Sequence, residues 1–180
     1  MTENALKPYV IGWDLDDTNS VFGIVDARGD VMATTAIKTG GYDNENDYVK
    51  AAVEALQPII ETVGGIEKIK AMGIGAPNGN FYKGTIEYAP NLPWAHTCVV
   101  PLADLFSKAL GGLPVALTND ANAAALGEMT YGAARGLKNF IDITLGTGVG
   151  SGIVIDGKMV YGCDGLAGEL GHEIMVRCKE

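Results

Sequence analysis

An α/β fold with a mixed sheet is what this sequence predicts, and three observations carry it. Residues 8–38 hold three short apolar runs parted by turn residues, the pattern of an antiparallel meander. From 46 to 134, helical apolar periodicity alternates with short apolar runs, the pattern of crossover units. From 139 to 161 the meander pattern returns, so one supersecondary unit occurs twice.

The elements follow in order. Strands are predicted at 8–14, 20–26 and 31–38. Asp43 to Asn46 is a cluster of capping residues, and Val49, Ala52, Val53, Leu56, Ile59, Ile60 and Val63 recur at helical spacing after it. A helix over 46–63 is expected, kinked or split by Pro58 and ended by Gly64-Gly65. Residues 70–76 read as a buried strand and Pro77-Asn78-Gly79 as a turn. Asn80 to Tyr88 reads as a hairpin around Lys83-Gly84. Pro101 to Leu110 reads as a helix with proline at its first position and Gly111 past its end. A strand at 114–118 precedes a helix over 121–134, capped by Asn119 or Asp120. The five runs at 8–14, 20–26, 31–38, 70–76 and 114–118 make one mixed five-stranded sheet. The pattern restarts near 117–120, so a first lobe is expected over 1–118 and the beginning of a second over 119–180.

The two meanders share a second feature. Each places a small or polar turn with a central threonine between its first two strands. In the first, Tyr9 to Leu15 meets Asp16-Asp17-Thr18. In the second, Ile141 to Leu145 meets Gly146-Thr147-Gly148-Val149-Gly150-Ser151-Gly152. Glycines at that density let backbone N–H groups approach a ligand that a Cβ would block. With the hydroxyls of Thr147 and Ser151 they make a concave set of donors suited to phosphate. Without a ligand the same residues make a tight hairpin.

Bulk properties exclude several functions. The 180 residues carry a net charge of −9, which argues against a nucleic-acid surface. No apolar run approaches the length of a membrane span, and residues 1–8 read as a short polar leader. Cys98, Cys163 and Cys178 are odd in number and widely spaced, which points to a reducing, cytoplasmic setting rather than a disulfide framework.

Three further segments could carry chemistry. Asn119-Asp120 stands where a strand ends and a helix begins, a position that suits both a cap and a catalytic group. Glu169 and His172 are three apart and share one face of a helical turn. Ala89-Pro90-Asn91-Leu92-Pro93-Trp94 is a rigid loop offering an amide and an indole, the latter for a ligand face or for the core.

Together with GIGAPNGNFYKGTIEYAPNLPW, LTNDANAAALGE, ITLGTGVGSGIVIDGKMVYG and GLAGELGHE, these segments resemble the ROK family (repressor, open reading frame, kinase) in its glucokinase-like branch. The resemblance covers nearly the whole chain. It implies an actin-like ATPase (ribonuclease H-like) fold and ATP-dependent phosphoryl transfer to a hexose hydroxyl. It assigns Asp120 as general base. Asn119, Asn91, Glu169 and His172 would hold the sugar, with Asn78 and Gly79 lining the site. Asp14 would orient Mg²⁺ through water. Thr18, Gly146, Thr147, Gly148 and Gly150 would cradle phosphate. With no helix-turn-helix segment before residue 9, the repressor branch is disfavoured.

Three departures from the family pattern matter. The turn after Asp14 is normally x-Gly-Gly-Thr, and here it is Leu15-Asp16-Asp17-Thr18. A carboxylate about 4 Å from a phosphate charge costs roughly 4 kcal/mol at an effective dielectric of about 20. Asp142 lies within an apolar strand and must face a cleft or a partner. The sequence stops at Glu180, before the family's cysteine-rich zinc loop and the remainder of its second lobe. His172 and Cys178 alone do not close a structural zinc site, which takes four ligands. The chain therefore reads as an N-terminal portion with weak kinase activity or none. It is expected to pair with a second copy or with a complementary lobe.

Two alternatives remain at this level. One is a non-catalytic kinase fragment or engineered variant. The other rests on Asp14-Leu15-Asp16-Asp17-Thr18, which also resembles the D-x-D-x-T motif of haloacid-dehalogenase-like phosphatases. There Asp14 would be nucleophile and Asp16 acid/base, with Mg²⁺ between them.

Overall fold

The computed structural model describes residues 7–146 and 148–173, so Thr147 and Cys178 lie outside the described residues. The chain divides into two compact units between Asp120 and Ala121.

In the first unit the chain runs β1 (Tyr9–Leu15), β2 (Asn19–Asp26), β3 (Val31–Lys38), α1 (Glu45–Thr62), β4 (Ile69–Ala76), β5 (Gly79–Asn80), β6 (Thr85–Glu87), β7 (Val99–Val100), α2 (Leu102–Ala109) and β8 (Val115–Asn119). Five strands form one sheet in the order β3-β2-β1-β4-β8. The meander is antiparallel, while β4 and β8 join parallel to β1. This is the predicted mixed sheet. One face is apolar by strict alternation: Ile11, Trp13 and Leu15 on β1 and Phe22 and Ile24 on β2 are buried beneath α1 and α2. Trp13 sits in the middle of that layer. Its ring centroid lies 4.9 Å from Phe22, 4.7 Å from Phe106 and 5.9 Å from Tyr48.

Helix α1 begins where the capping residues foretold it. The Asn44 side chain accepts the N–H groups of Asn46 and Asp47. Pro58 does not split the helix. Pro58 lies on the exposed side, and Leu56, Ile59 and Ile60 stay buried on either side. Gly64 and Gly65, at φ 97° and 98°, then turn the chain. Pro101 is the N-cap of α2 rather than its first helical residue.

A separate three-stranded ribbon, β5-β6-β7, contains the predicted hairpin. Its third strand is two residues long and carries no periodic signal. Gly79 is required here because a Cβ would stand 2.5 Å from the Thr118 carbonyl oxygen.

The second unit holds α3 (Asp120–Thr130), whose first residue Asp120 closes the first unit, with β9 (Phe140–Leu145), β10 (Val149–Ile155) and β11 (Lys158–Met159). Helix α3 ends four residues before the expected 134. The Glu128 carboxylate accepts the Ala133 N–H at 2.7 Å and turns the chain at Gly132. The strands form the second antiparallel meander, order β11-β10-β9. Its hairpin at Asp156-Gly157 has φ 52° and 72°, the type I′ pattern. Gly150 and Gly152 let α3 lie on the hairpin, since their Cβ atoms would stand 2.8 Å and 2.4 Å from the Cβ atoms of Ala121 and Ala125. On the opposite face Ile141, Ile143 and Leu145 are 54%, 56% and 81% exposed, whereas Ile11, Trp13 and Leu15 of the first meander are buried.

Candidate functional site

The first unit gathers its polar residues at one end of three adjacent parallel strands. The register sets Asp14 beside Gly75 and Gly75 beside Thr118, on β1, β4 and β8. Paired residues share a sheet face, and Gly75 has no side chain to separate the outer two. Beyond this row the three strands run into the turn at Asp16, the turn at Asn78 and the N-terminus of α3 at Asp120. The carboxyl ends of parallel strands are where α/β sheets place ligands.

Electrostatics give the same convergence. Burial of the carboxyl, then Asp16, then Asp120 raise the Asp14 pKa above its ordinary value. The folded state therefore binds this proton more tightly than the unfolded chain does. Between the unfolded and folded pKa values stability falls as pH rises, so ionised Asp14 is a small liability at neutral pH. Asp14→Asn is expected to stabilise the fold slightly at pH 7 and to raise the melting temperature by a small amount, because the carboxyl is only partly covered and solvent screens its repulsions. The gain should vanish below the unfolded value of about 3.8, and thermal scans from pH 3 to 8 measure it.

The same crowding bears on Mg²⁺. That ion uses one or two carboxylates and otherwise keeps waters and phosphate oxygens. Asp14, with Asp16 and Asp120 acting on it, fits such a role, and a cation would relieve the repulsion among them. The Thr118 hydroxyl, buried with no hydrogen-bond partner among the described residues, shares the sheet face of Asp14 and could meet a metal-bound water. No motif or periodicity marks this threonine. Among the described residues no group of three His, Cys, Asp or Glu is arranged to hold a metal directly.

The turn at 16–19 is closed on itself. The Asp16 N–H donates to the Asn19 carbonyl at 3.1 Å, and the Asp16 carboxylate accepts the Asp17 N–H at 2.8 Å. Thr18 is exposed, its hydroxyl 3.2 Å from the Asn19 amide nitrogen. The second turn, at Asn78 (φ 53°), is locked by its own amide, which donates to the carbonyls of Glu87 and Tyr88 at 3.0 and 3.4 Å. That shapes the turn and ties it to the loop after β6. Asn91 is exposed in this loop, with buried Ala89 before it and buried Leu92 and Trp94 after it. Trp94 is 5% exposed, stacked on Tyr48, and so belongs to the core. Asn119 is half-buried at the end of β8, and Asp120 is exposed as the first residue of α3.

In the second unit the glycine turn and the Glu169–His172 segment lie together. The Ser151 hydroxyl donates to the Gly168 carbonyl, and a Cβ on Gly171 would meet the Val149 carbonyl at 2.2 Å. The segment is thus pressed onto the first half of β10, beside Gly146 and Gly148. Ser151 is buried in this contact and not presented as a phosphate donor. Gly150 is filled in by Ala121 and Thr144, so close packing is its visible role. Glu169 and His172 are exposed on a 3₁₀ turn, with His172 Nδ1 3.2 Å from Glu169 Oε2. Asp142 is half-buried on the face carrying Gly152 and makes no ion pair among the described residues. Cys163 is exposed beside Asp164, whose carboxylate raises its pKa. No described residue joins His172 in a zinc set.

A profile described as the ROK family matches residues 10–180. Glucokinase of Streptomyces coelicolor is 39% identical over 167 residues, which is 92% of this chain and 50% of that protein. A ROK glucokinase of Streptomyces griseus, solved with glucose and AMPPNP, superposes with a TM-score of 0.76 at 37% identity, over 93% of this chain and 51% of that one. The ROK hexokinase of Thermus thermophilus superposes with a TM-score of 0.79 at 32% identity, over 93% and 54%. The chain spans about half the length of the curated relatives it matches.

Proposed function

The chain belongs to the ROK family, and from that premise we propose that it is the sugar-holding part of an ATP-dependent hexose kinase acting on a glucose-type substrate. The observation that carries the reading is the row Asp14, Gly75, Thr118 leading to Asp120 at the ends of β1, β4 and β8. A sugar hydroxyl is a poor nucleophile, and a positioned carboxylate that takes its proton contributes about 10²–10⁴-fold. Asp120, exposed at a helix start, is assigned that role. Asn91 and Asn119 are assigned to the sugar hydroxyls, with Asn78 and Gly79 shaping the wall. In the second unit, Glu169 and His172 are assigned to the sugar, and Gly146, Thr147, Gly148 and Gly150 to phosphate. When bound, Mg²⁺ and ATP supply the phosphoryl group and the charge that neutralises it. Asp14 holds the metal's waters, while Thr18 lies in a turn whose carboxylates oppose phosphate.

Glucokinase relatives support this substrate class. No described helix is long and apolar enough to cross a membrane. The exposed cysteines Cys98 and Cys163 fit a reducing cytoplasm. The bare face of β9 is assigned to a second copy or to a complementary lobe, which light scattering reads as mass.

Glucose at millimolar concentration is expected to raise the melting temperature by mass action on the folded state. A hexose panel ranks the preferred sugar. No shift with any hexose would remove the reading. Magnesium-dependent hydrolysis of p-nitrophenyl phosphate, lost in Asp14→Asn, would replace it with the phosphatase.

A further inference from the structure

Thr39 follows β3, far in sequence from every residue assigned above, yet it is wholly buried and bonded in three directions. Its N–H donates to the Thr18 carbonyl at 3.1 Å, in the phosphate turn. Its carbonyl accepts the Trp94 indole N–H at 3.0 Å, in the loop that presents Asn91. Its hydroxyl lies 2.9 Å from that of Ser20, and Ser20 bonds in turn to the Tyr48 hydroxyl. Tyr48 closes the circuit by stacking on Trp94, with centroids 4.5 Å apart and planes 21° apart. Ser20 and Tyr48 are also fully buried.

Neither hydroxyl–hydroxyl bond is needed for packing. A valine and a phenylalanine would fill the same space without desolvating polar groups, and buried polar networks are costly unless fully satisfied. The main-chain N–H and C=O of Thr39 tie the Thr18 turn and the Asn91 loop to one residue, and the hydroxyl bonds through Ser20 to Tyr48 hold that residue in a fixed orientation, which an apolar core would not do. A shift of either is felt by the other through hydrogen bonds of fixed direction. Phosphoryl transfer depends on holding donor and acceptor in one geometry, where small misplacements are expensive.

We propose that Thr39, with Ser20, Tyr48 and Trp94, is a positioning hub that couples the hexose loop to the phosphate turn. This rests on the assignment of Asn91 to the sugar and of Thr18 to phosphate. Filling the sugar site tightens the loop, and the Trp94–Thr39–Thr18 chain passes that order to the turn before any nucleotide arrives.

At 18.8 kDa the chain suits residue-resolved NMR, and its two tryptophans give two indole signals. Glucose is expected to move the Trp94 indole signal and the amides of Thr39 and of Asp16 to Asn19. Trp94→Phe keeps the stack on Tyr48 but removes the indole donor. It should weaken glucose binding about tenfold and abolish the response of residues 16–19 even at saturating glucose. Thr39→Val should weaken binding about threefold, and Thr39→Ser, which keeps the hydroxyl, should restore it. A folded Trp94→Phe chain that binds glucose as before and still moves the turn overturns the hub alone. So does a Thr39→Val chain indistinguishable from Thr39→Ser. If the unaltered chain binds no hexose, the assignment of Asn91 falls and the hub falls with it.

Discussion

Replacing Asp16 and Asp17 with glycine is expected to raise affinity for ATP about fiftyfold at low salt. Two physical effects add. Each carboxylate stands at a turn where phosphate would have to approach. Two unit charges about 4 Å apart repel by roughly 1 kcal/mol in bulk water and roughly 4 kcal/mol near a protein surface. Both residues are exposed, which places the cost toward the lower limit. The second effect belongs to Asp16 alone. Its carboxylate already accepts the Asp17 N–H at 2.8 Å, so a donor that a glycine turn would offer to phosphate is occupied. Asp16→Gly alone should therefore recover more than Asp17→Gly alone. Isothermal titration with ATP in 20 mM and 500 mM salt separates the two effects. The charge part is screened at high salt, and the freed N–H is not. Equal gains from the two single substitutions, independent of salt, would show that the turn is not a phosphate contact.

Trp13→Ala should destabilise the first unit by about 4 kcal/mol, the range for truncating a buried aromatic. Trp13 is 3% exposed and ringed by Phe22, Phe106 and Tyr48, so its loss opens a cavity that the sheet and two helices cannot collapse to fill. In a chain of this size the melting temperature should fall by roughly 12 °C. Trp13→Phe should cost less than about 1.5 kcal/mol. The indole N–H is buried without a hydrogen-bond partner among the described residues, so removing it relieves a desolvation penalty that partly offsets the smaller ring. Circular dichroism melts of the two variants give the comparison. Equal losses would mean that the indole N–H is satisfied in solution.

The five-stranded sheet was legible because alternation on β1 and β2 and the helical spacing on α1 each agree with the burial they end in. The order of segments then left few ways to close a mixed sheet. What escaped had no local signature. Val99–Val100 is too short for periodicity. The end of α3 depends on Glu128 reaching the Ala133 N–H, a side-chain contact with no local signature. Strand β10 begins at Val149, inside what reads as a glycine loop, because Gly150 and Gly152 serve contact with α3. Pro58 leaves α1 whole because it faces water, which its identity alone does not disclose. In the candidate site, Asp14, Asn91, Asn119 and Asp120 could be named from motif and position. The closure of the 16–19 turn by Asp16, the capture of Ser151 by Gly168 and the hub at Thr39 could not, since each joins groups by direction as well as identity.

The central claim is that a hexose sits at the ends of β1, β4 and β8, held by the Asn91 loop and addressed by Asp120. Calorimetric titration of the chain with glucose tests it most directly. The account predicts one-to-one binding in the millimolar range, weakened more than about tenfold by Asn91→Ala through the lost amide hydrogen bonds. Absence of heat with any hexose, or binding indifferent to Asn91→Ala, would contradict it.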